Sequence, residues 1–177
     1  AMFGALTKEK GHDVLLQAAT LLAKDLPALH WVLVGDGPLR KDLEKDATRR
    51  GLMDRVHFVG HVDEPASILR DVTLAVLPSR EEGFGSTILE ALALRVPVVG
   101  TDVGGIPETL AGGGGVLVPP DDAIALAEAV GGLVRDRGRR ERLAAEARGA
   151  AEAFAVPRMV EAVLAVYRSV THRVGGP

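Results

Sequence analysis

Cysteine is absent from the 177 residues, and aromatic side chains make up only 3% of them. Without a thiol the chain can form no disulfide, no thiolate metal site and no cysteine nucleophile. The formal net charge is -3 and no long block of like charge occurs, which argues against a nucleic-acid-binding surface. No apolar run approaches the roughly 18 residues of a membrane span. Apolar residues still make up 47% of the sequence, so we expect a globular domain with a core of Ala, Val and Leu.

Short, near-continuously apolar runs alternate with longer stretches of helical period along most of the chain. Such runs are typical of parallel strands that are buried on both faces. We interpret six runs as strands: MFGAL, HWVLVG, RVHFVG, TLAVLP, PVVGTD and GVLVP. We interpret eight stretches as helices, at residues 12–24, 39–50, 64–71, 87–94, 107–110, 122–135, 138–153 and 157–172.

Alternating strands and helices predict an α/β fold, a Rossmann-like doubly wound parallel sheet of about six strands. Its expected strand order is 3-2-1-4-5-6, with C-terminal helices, in one domain of residues 1–177. Ligands bind such sheets at the carboxyl ends of the strands, where the order reverses between the first and the fourth. The loops TKEKGHD and SREEGFGST should therefore face each other across a crevice.

The second of these loops carries the residues of a candidate anion site. Gly83 and Gly85 allow a ligand to approach the backbone closely. Ser86 and Thr87 begin a helix whose free amides and dipole attract an anion. Lys10, on the opposite lip of the crevice, indicates that this anion is a phosphate or a diphosphate.

Two carboxylates, Glu82 and Glu90, flank this anion site, and a phosphate would repel both of them. The hydroxyl groups of a sugar or a ribose are partners that a carboxylate accepts readily. An anionic group between hydroxylated rings describes a nucleotide sugar. Structural alternatives exist: Thr87 and Glu90 match a capping box, and Glu82 and Lys10 match solvated surface charges.

A dinucleotide-binding oxidoreductase is a weaker competitor. GDGPLR, residues 35–40, and GFGSTI, residues 83–88, both imitate the glycine fingerprint of such enzymes. Both lack the third glycine, and neither follows the first strand, where that fingerprint belongs.

The segment EGFGSTILE resembles the Glu-x7-Glu motif of glycosyltransferase family 4, whose members are retaining enzymes of the GT-B fold. Around it, KGHDVLL, LVGDGPLR, VHFVGHV, PVVGTDVGGIPE and GVLVPPDD match the order and spacing of that family. The resemblance covers nearly the whole chain, but only the carboxy-terminal, donor-binding half of such an enzyme. It implies that the chain binds a nucleotide diphosphate sugar for retaining, hexosyltransferase-type transfer to an unknown acceptor.

The resemblance also implies a role for each matching position. Glu82 would hold the hydroxyls of the donor sugar close to the reacting carbon, which makes it the expected catalytic residue. Glu90 would bind the ribose hydroxyls, and Lys10 would bind the diphosphate. The loop and helix start would contact the sugar and the phosphates, at Gly83, Phe84, Gly85, Ser86 and Thr87. The loop of Gly60, His61 and Val62 would meet the nucleobase, which the sequence does not identify among UDP, GDP and ADP.

Enzymes of this family usually work without a metal, and no Asp-x-Asp pair occurs here, so we expect no cofactor and no metal. Lys10 and the helix terminus would then stabilise the charge on the leaving diphosphate. Ala5 stands where the family usually has an arginine that meets the diphosphate, so donor binding would be weaker unless Arg80 or Lys8 compensates. Arg95 stands where a helix-ending glycine is frequent, at a cost of ~1–2 kcal/mol if that position is left-handed.

The active site of a GT-B enzyme lies between two domains, and this chain corresponds to one of them. The missing N-terminal domain is therefore an expected partner, and the chain alone is expected to be inactive in transfer. The terminal helix, residues 157–173, would contact that domain through an apolar stripe, or would drive homo-oligomer formation. The stripe consists of Met159, Val163, Val166 and Val170.

Two alternatives stay open at this stage. The chain could be a stand-alone nucleotide-sugar binding module without turnover, or one half of a GT-B nucleotide-sugar epimerase. We expect a cytoplasmic location, with peripheral membrane attachment of a full-length protein left open. We expect no nucleic acid partner and no transmembrane segment.

Overall fold

The computed structural model describes the backbone of residues 1–174 and the side chains of residues 1–170. The strands β1 to β6 span Met2–Phe3, Trp31–Val34, Val56–Gly60, Ala75–Leu77, Val98–Thr101 and Gly115–Val118. The helices α1 to α8 of these residues span His12–Leu22, Arg40–Arg49, Pro65–Leu69, Ser86–Ala93, Ile106–Leu110, Ala123–Arg135, Arg137–Ala153 and Val156–Val174. A 3-10 turn, Lys8–Lys10, precedes α1. Every strand lies inside a run that the sequence predicted.

The strands form two three-stranded parallel sheets, in the orders β1-β2-β3 and β4-β5-β6. The sheets meet where β1 lies beside β4. There the Val76 amide donates to the Ala1 carbonyl at 2.8 Å, and the Ala1 amino group donates to the Leu74 carbonyl at 2.7 Å. The predicted strand order 3-2-1-4-5-6 is therefore confirmed, although the strands form two three-stranded sheets rather than one continuous sheet of six. β1 and β4 are joined by these two bonds rather than by a continuous ladder.

Helices cover both faces of the sheet, and successive strand residues point to opposite faces. On β5, Val99 packs into one core with side chains of α1, α2 and α6, whereas Val98 packs into a second core with side chains of α4, α5 and α7. Both valines are completely buried. Burial on both faces explains why the strands have continuously apolar sequences rather than alternating ones.

The start and end of α4 bear on function and on stability. The helix begins at Ser86, and its N-cap is Gly85, which has a left-handed conformation with φ of 69°. After the end of α4, Arg95 has a φ of 60°. The expectation that Arg95 occupies a position suited to glycine is therefore confirmed.

The last helix, α8, carries apolar side chains on its surface. The predicted stripe of Met159, Val163, Val166 and Val170 is exposed along its whole length. This is the largest set of exposed apolar side chains on a single helix among the described residues. None of the described helices combines the length and the apolar character that crossing a bilayer requires.

Candidate functional site

The loops after β1 and β4 meet at the carboxyl end of the sheet, where the strand order reverses. The Arg80 amide donates to the Glu9 carbonyl at 2.7 Å, which ties the second loop to the first. Gly11 permits this approach, because a Cβ there would lie 2.0 Å from the Pro78 carbonyl oxygen. The loops border an open cleft of about 620 Å³, lined by Thr7, Glu9, Lys10, Arg80, Glu81, Glu82, Gly83 and Gly104. The predicted crevice is therefore present.

A second cavity, of about 490 Å³, lies at the opposite ends of β1, β2 and β4 and is mainly apolar. Trp31, Leu74 and Val76 contribute to its wall. None of the site residues predicted from the sequence lines it. We therefore place the candidate site in the crevice between the loops after β1 and β4.

Lys10 and Glu82 come together across the cleft, although 72 positions separate them in the sequence. The Lys10 ammonium donates to the Glu82 carboxylate, with 2.6 Å between Nζ and Oε2. The buried Ser79 hydroxyl donates to the same oxygen at 3.3 Å. The side chains of Lys10 and Glu82 are 27% and 12% exposed, so the pair is largely shielded. A diphosphate that reached Lys10 would have to compete with Glu82 for it.

Residues 82–85 are supported from behind by the loop after β5. The Gly105 amide donates to the Glu82 carbonyl at 3.2 Å. A Cβ on Gly104 would lie 1.7 Å from the Glu82 carbonyl oxygen, and a Cβ on Gly105 would lie 2.4 Å from that of Gly83. In a trans peptide the N–H points opposite to the C=O, so the Gly83 amide points away from this support. The glycine pair in PVVGTDVGGIPE is the sequence signal for this contact, and we assigned it no role from the sequence.

A row of free amides runs from this segment into α4. In the part of the chain that the structure describes, the N–H groups of residues 83–87 have no hydrogen-bond acceptor. They belong to Gly83, Phe84, Gly85, Ser86 and Thr87. These are the unpaired donors expected at a helix start, where anions bind, and Gly83 among them lines the cleft.

Glu90 lies on α4 with its side chain exposed. Residues three and four apart share a face of a helix, so Glu90 lies on the same face as Ser86 and Thr87. The alternative interpretation of Thr87 and Glu90 as a capping box is wrong, because Gly85 occupies the N-cap and no side chain caps this helix. Glu90 does not line the cleft that holds Lys10, so the structure separates the two glutamates of the motif.

Arg80 joins the loops that follow β1, β4 and β6. Its guanidinium makes two hydrogen bonds to Asp13, at 2.9 and 2.8 Å, one to Asp121 at 2.6 Å and one to the Lys8 carbonyl at 2.7 Å. The bonds to Asp13 raise the pKa of the Arg80 guanidinium, and Arg80 in turn lowers the pKa of Asp13. Arg80 therefore holds the loops together, and it also lines the cleft, so its replacement of the arginine missing at Ala5 stays a prediction.

The loop predicted to meet the nucleobase follows β3. Gly60 has a φ of 84°, and its carbonyl accepts a hydrogen bond from the Gly35 amide at 2.7 Å. His61 is exposed and lies 3.5 Å from the Asp63 carboxylate, while Val62 is half-buried. β3 lies two strands from β1, which places this loop about 10 Å from the cleft at the usual strand spacing. The loop and the cleft therefore share one edge of the sheet without touching.

His12 begins α1, two residues after Lys10, and is 1% exposed. Neither ring nitrogen has a hydrogen-bond partner of regular geometry among the described residues. Burial lowers the pKa of His12 to about 4, against a smaller opposing effect of the Thr7 backbone, so the ring is neutral at pH 7. Across residues 1–170, whose side chains the structure describes, no group of three His, Asp or Glu side chains could hold a metal ion.

Solved structures define the class of protein. The chain matches the crystal structure of Anabaena Alr3699/HepE in complex with UDP, with a TM-score of 0.86 and 27% identity, over 95% of this chain and 48% of that one. The complex of the same Anabaena protein with UDP-glucose matches with a TM-score of 0.85. The C-terminal domain of a glycosyl transferase group 1 family protein (LpcC) from Francisella tularensis matches with a TM-score of 0.77 and 27% identity, over 86% and 83% of the two chains. The fold is that of one half of a GT-B glycosyltransferase.

The sequence then defines the family. Residues 1–150 match the family described as "Glycosyl transferases group 1", and the chain belongs to it. The chain is 35% identical to the lipopolysaccharide core biosynthesis mannosyltransferase LpsB of Rhizobium meliloti, over 95% of this chain and 50% of that protein. It is 39% identical to the alpha-D-kanosaminyltransferase of Streptomyces kanamyceticus, over 81% of this chain and 38% of that protein. The chain thus spans half or less of the length of these relatives.

Proposed function

We propose that this chain is the donor-binding domain of a retaining glycosyltransferase of family 4 and binds a nucleotide diphosphate sugar. The observation that carries the proposal is the meeting of Lys10 with Glu82 beside the free amides of residues 83–87. A cation and a row of amide donors suit a diphosphate, and a carboxylate suits the hydroxyls of the adjoining sugar. Membership of the family, and the UDP and UDP-glucose complexes of the Anabaena relative, support the same class of ligand.

In the proposed reaction the bond between the sugar and the diphosphate breaks, and the anomeric carbon bonds to an acceptor hydroxyl with its configuration retained. The hydroxyl proton passes to the leaving diphosphate. Negative charge builds up on the diphosphate as its bond to the sugar breaks. Lys10 and the amides of Gly83 and Gly85 would stabilise that charge, because they are donors fixed where the charge develops. We propose that no metal is required, since these groups supply the compensating positive charge. Glu82, displaced from Lys10 by the diphosphate, would hold the sugar hydroxyls beside the reacting carbon.

The rest of the donor would lie along the carboxyl edge of the sheet. Glu90 would bind the ribose hydroxyls from the face of α4 that it shares with Ser86 and Thr87. The loop at residues 60–62 would meet the nucleobase, about two strand spacings from the diphosphate. UDP is the first nucleotide to test, because the Anabaena relative is in complex with it, and GDP and ADP are the alternatives.

Calorimetry of the chain with UDP, GDP and ADP tests the proposal. At least one of them should bind at a single site. Lys10→Ala should weaken that binding by about tenfold or more, since a hydrogen bond between charged groups contributes about 1.5–3 kcal/mol. Lys24→Ala is the matched control, because Lys24 is exposed and lies outside the cleft lining. No binding of any of the three nucleotides would contradict the proposal.

Transfer to an acceptor is proposed to need an N-terminal domain that completes the active site. The exposed apolar stripe of α8 is the surface proposed to contact that domain, or to join two copies of this chain in its absence. Sedimentation at rising concentration should show a growing mass for the wild type and a constant one for Val163→Glu. A wild-type monomer at all concentrations would contradict self-association. We also propose a cytoplasmic location, with which the lack of cysteine is compatible.

A further inference from the structure

Thr109 contacts the backbone of the donor loop, residues 82–85, from behind. It lies on α5 between the buried Ile106 and Leu110 and is itself 0% exposed. Its hydroxyl oxygen lies 2.8 Å from the Gly105 carbonyl oxygen and 3.1 Å from the Phe84 carbonyl oxygen. The hydroxyl has one proton, which it shares between the two carbonyls. A helical threonine commonly makes the first contact, to the residue four positions back, and the Gly105 carbonyl also accepts from the Thr109 amide at 3.0 Å. The second leaves the helix and reaches a residue 25 positions away.

We propose that Thr109 is a positioning residue that aims the Gly85 amide at the diphosphate, an inference that rests on the proposed function. The C=O of Phe84 and the N–H of Gly85 belong to one planar peptide and point in opposite directions. A hydrogen bond from Thr109 to the Phe84 carbonyl therefore turns the Gly85 N–H away from α5. Within the described chain, Thr109 is the only donor to that carbonyl.

The position of Thr109 would suit a purely apolar side chain. Its neighbours Ile106 and Leu110 are buried and apolar, and a buried hydroxyl is unfavourable unless its hydrogen bonds are made. The ring of Phe84 is held separately, by an edge-on contact with Phe154 at 5.7 Å between centroids and 73° between planes. Removing the hydroxyl would therefore take away the hydrogen bond to the Phe84 carbonyl without removing the contact between the Phe84 and Phe154 rings.

The test compares Thr109→Val, which removes the hydroxyl at nearly constant volume, with Thr109→Ser, which keeps it. Calorimetry measures the affinity for UDP, or for GDP or ADP if the wild-type chain prefers one of them. Two-dimensional amide NMR measures the shift of the Gly85 signal on binding. We expect Thr109→Val to weaken binding about 3- to 10-fold, the effect of one hydrogen bond, and to reduce the Gly85 shift. Thr109→Ser should have the affinity and the Gly85 shift of the wild type. If Thr109 acted only through its methyl group, Thr109→Ser would be the impaired variant and Thr109→Val would not.

Thr48→Val is the matched control, because the exposed Thr48 bonds to the Glu44 carbonyl, four positions back, at 2.9 Å on the distant α2. It should leave affinity and the Gly85 shift unchanged. If Thr109→Val does not fold, Thr109→Ala replaces it with the same expectations.

The inference is overturned if the variant without the Thr109 hydroxyl binds the diphosphate as tightly as the wild type and gives the same Gly85 shift. It is also overturned if Thr109→Ser is as weak as Thr109→Val. In both outcomes the wild type binds and the proposed function stands. If the wild type binds none of UDP, GDP and ADP, the proposed function itself has failed, and the role of Thr109 falls with it.

Discussion

The ion pair between Lys10 and Glu82 has a testable consequence: removal of one carboxylate from the site should tighten the binding of a nucleoside diphosphate. Glu82→Gln keeps the shape of the side chain and an acceptor oxygen for Ser79, and it removes the negative charge. Lys10 then has no charged partner that the diphosphate must displace. The variant should therefore bind UDP, or whichever nucleoside diphosphate the wild type prefers, more tightly than the wild type does.

The magnitude follows from the geometry of the pair. Hydrogen bonds to charged groups contribute about 1.5–3 kcal/mol, and exposed ion pairs about 0–1 kcal/mol. Lys10 and Glu82 are 27% and 12% exposed with 2.6 Å between their charged atoms, which places the pair between these limits. After allowance for solvent screening at Lys10, we expect about 1 kcal/mol, or about a five-fold lower dissociation constant.

The nucleotide sugar should respond in the opposite direction, because Glu82 is also proposed to hold the sugar hydroxyls. Replacing the charged acceptor by a neutral one costs about 1 kcal/mol for each sugar hydroxyl that it binds, and the loss at two hydroxyls exceeds the gain at Lys10. Calorimetry of Glu82→Gln should therefore show tighter binding of UDP and weaker binding of UDP-glucose than in the wild type. Glu81→Gln is the control, since Glu81 lines the same cleft and has no ion-pair partner among the described residues. Equal or weaker UDP binding by Glu82→Gln, or the same gain in Glu81→Gln, would refute the reasoning.

Three further predictions concern stability, measured by urea unfolding. Arg95→Gly should stabilise the fold by about 1 kcal/mol, because glycine adopts the φ of 60° without strain; Arg95→Ala, which keeps the strain, should show no such gain. His12→Leu should reduce the loss of stability between pH 6.5 and 4. Folding lowers the pKa of His12 from 6.5 to about 4, so between these pH values the unfolded chain binds a proton that the folded chain does not. The stability of the wild type therefore falls as the pH falls. This residue should contribute about 1.4 kcal/mol per pH unit in that window, and an unchanged slope in the variant would contradict its burial as a neutral ring. Arg80→Lys should cost about 2 kcal/mol, because lysine cannot make two parallel bonds to Asp13; a cost below about 0.5 kcal/mol would show that other contacts hold the loops.

The order of strands and helices could be predicted because a parallel strand buried on both faces leaves a continuous apolar run in the sequence. Val98 and Val99 of β5 face different cores, and both are apolar. The short first strand could not be predicted in the same way. MFGAL has five apolar or small residues, but only Met2–Phe3 form the strand, and Gly4 follows with a φ of 147°. An apolar run indicates which residues are buried, whereas the number of residues that pair in a strand depends on the backbone conformation.

The position of the crevice could be predicted because the reversal of strand order brings two particular loops together. The partners of the charged side chains could not be predicted. Arg80 bonds to Asp121 and Asp13 across 41 and 67 positions, and the conformations of three loops determine those pairs. The capping box failed for a local reason: Gly85 reaches a left-handed φ and takes the N-cap before Thr87.

The central claim is that a diphosphate binds between Lys10 and the amides of residues 83–87. A crystal structure of the chain with UDP, or with GDP or ADP if that is the nucleotide it binds, tests this most directly. We expect phosphate oxygens within about 3.2 Å of Lys10 Nζ and of the Gly85 amide nitrogen, with Glu82 moved away from Lys10. A nucleotide bound elsewhere, or one bound beside an intact Lys10–Glu82 pair and out of reach of these amides, would contradict the claim.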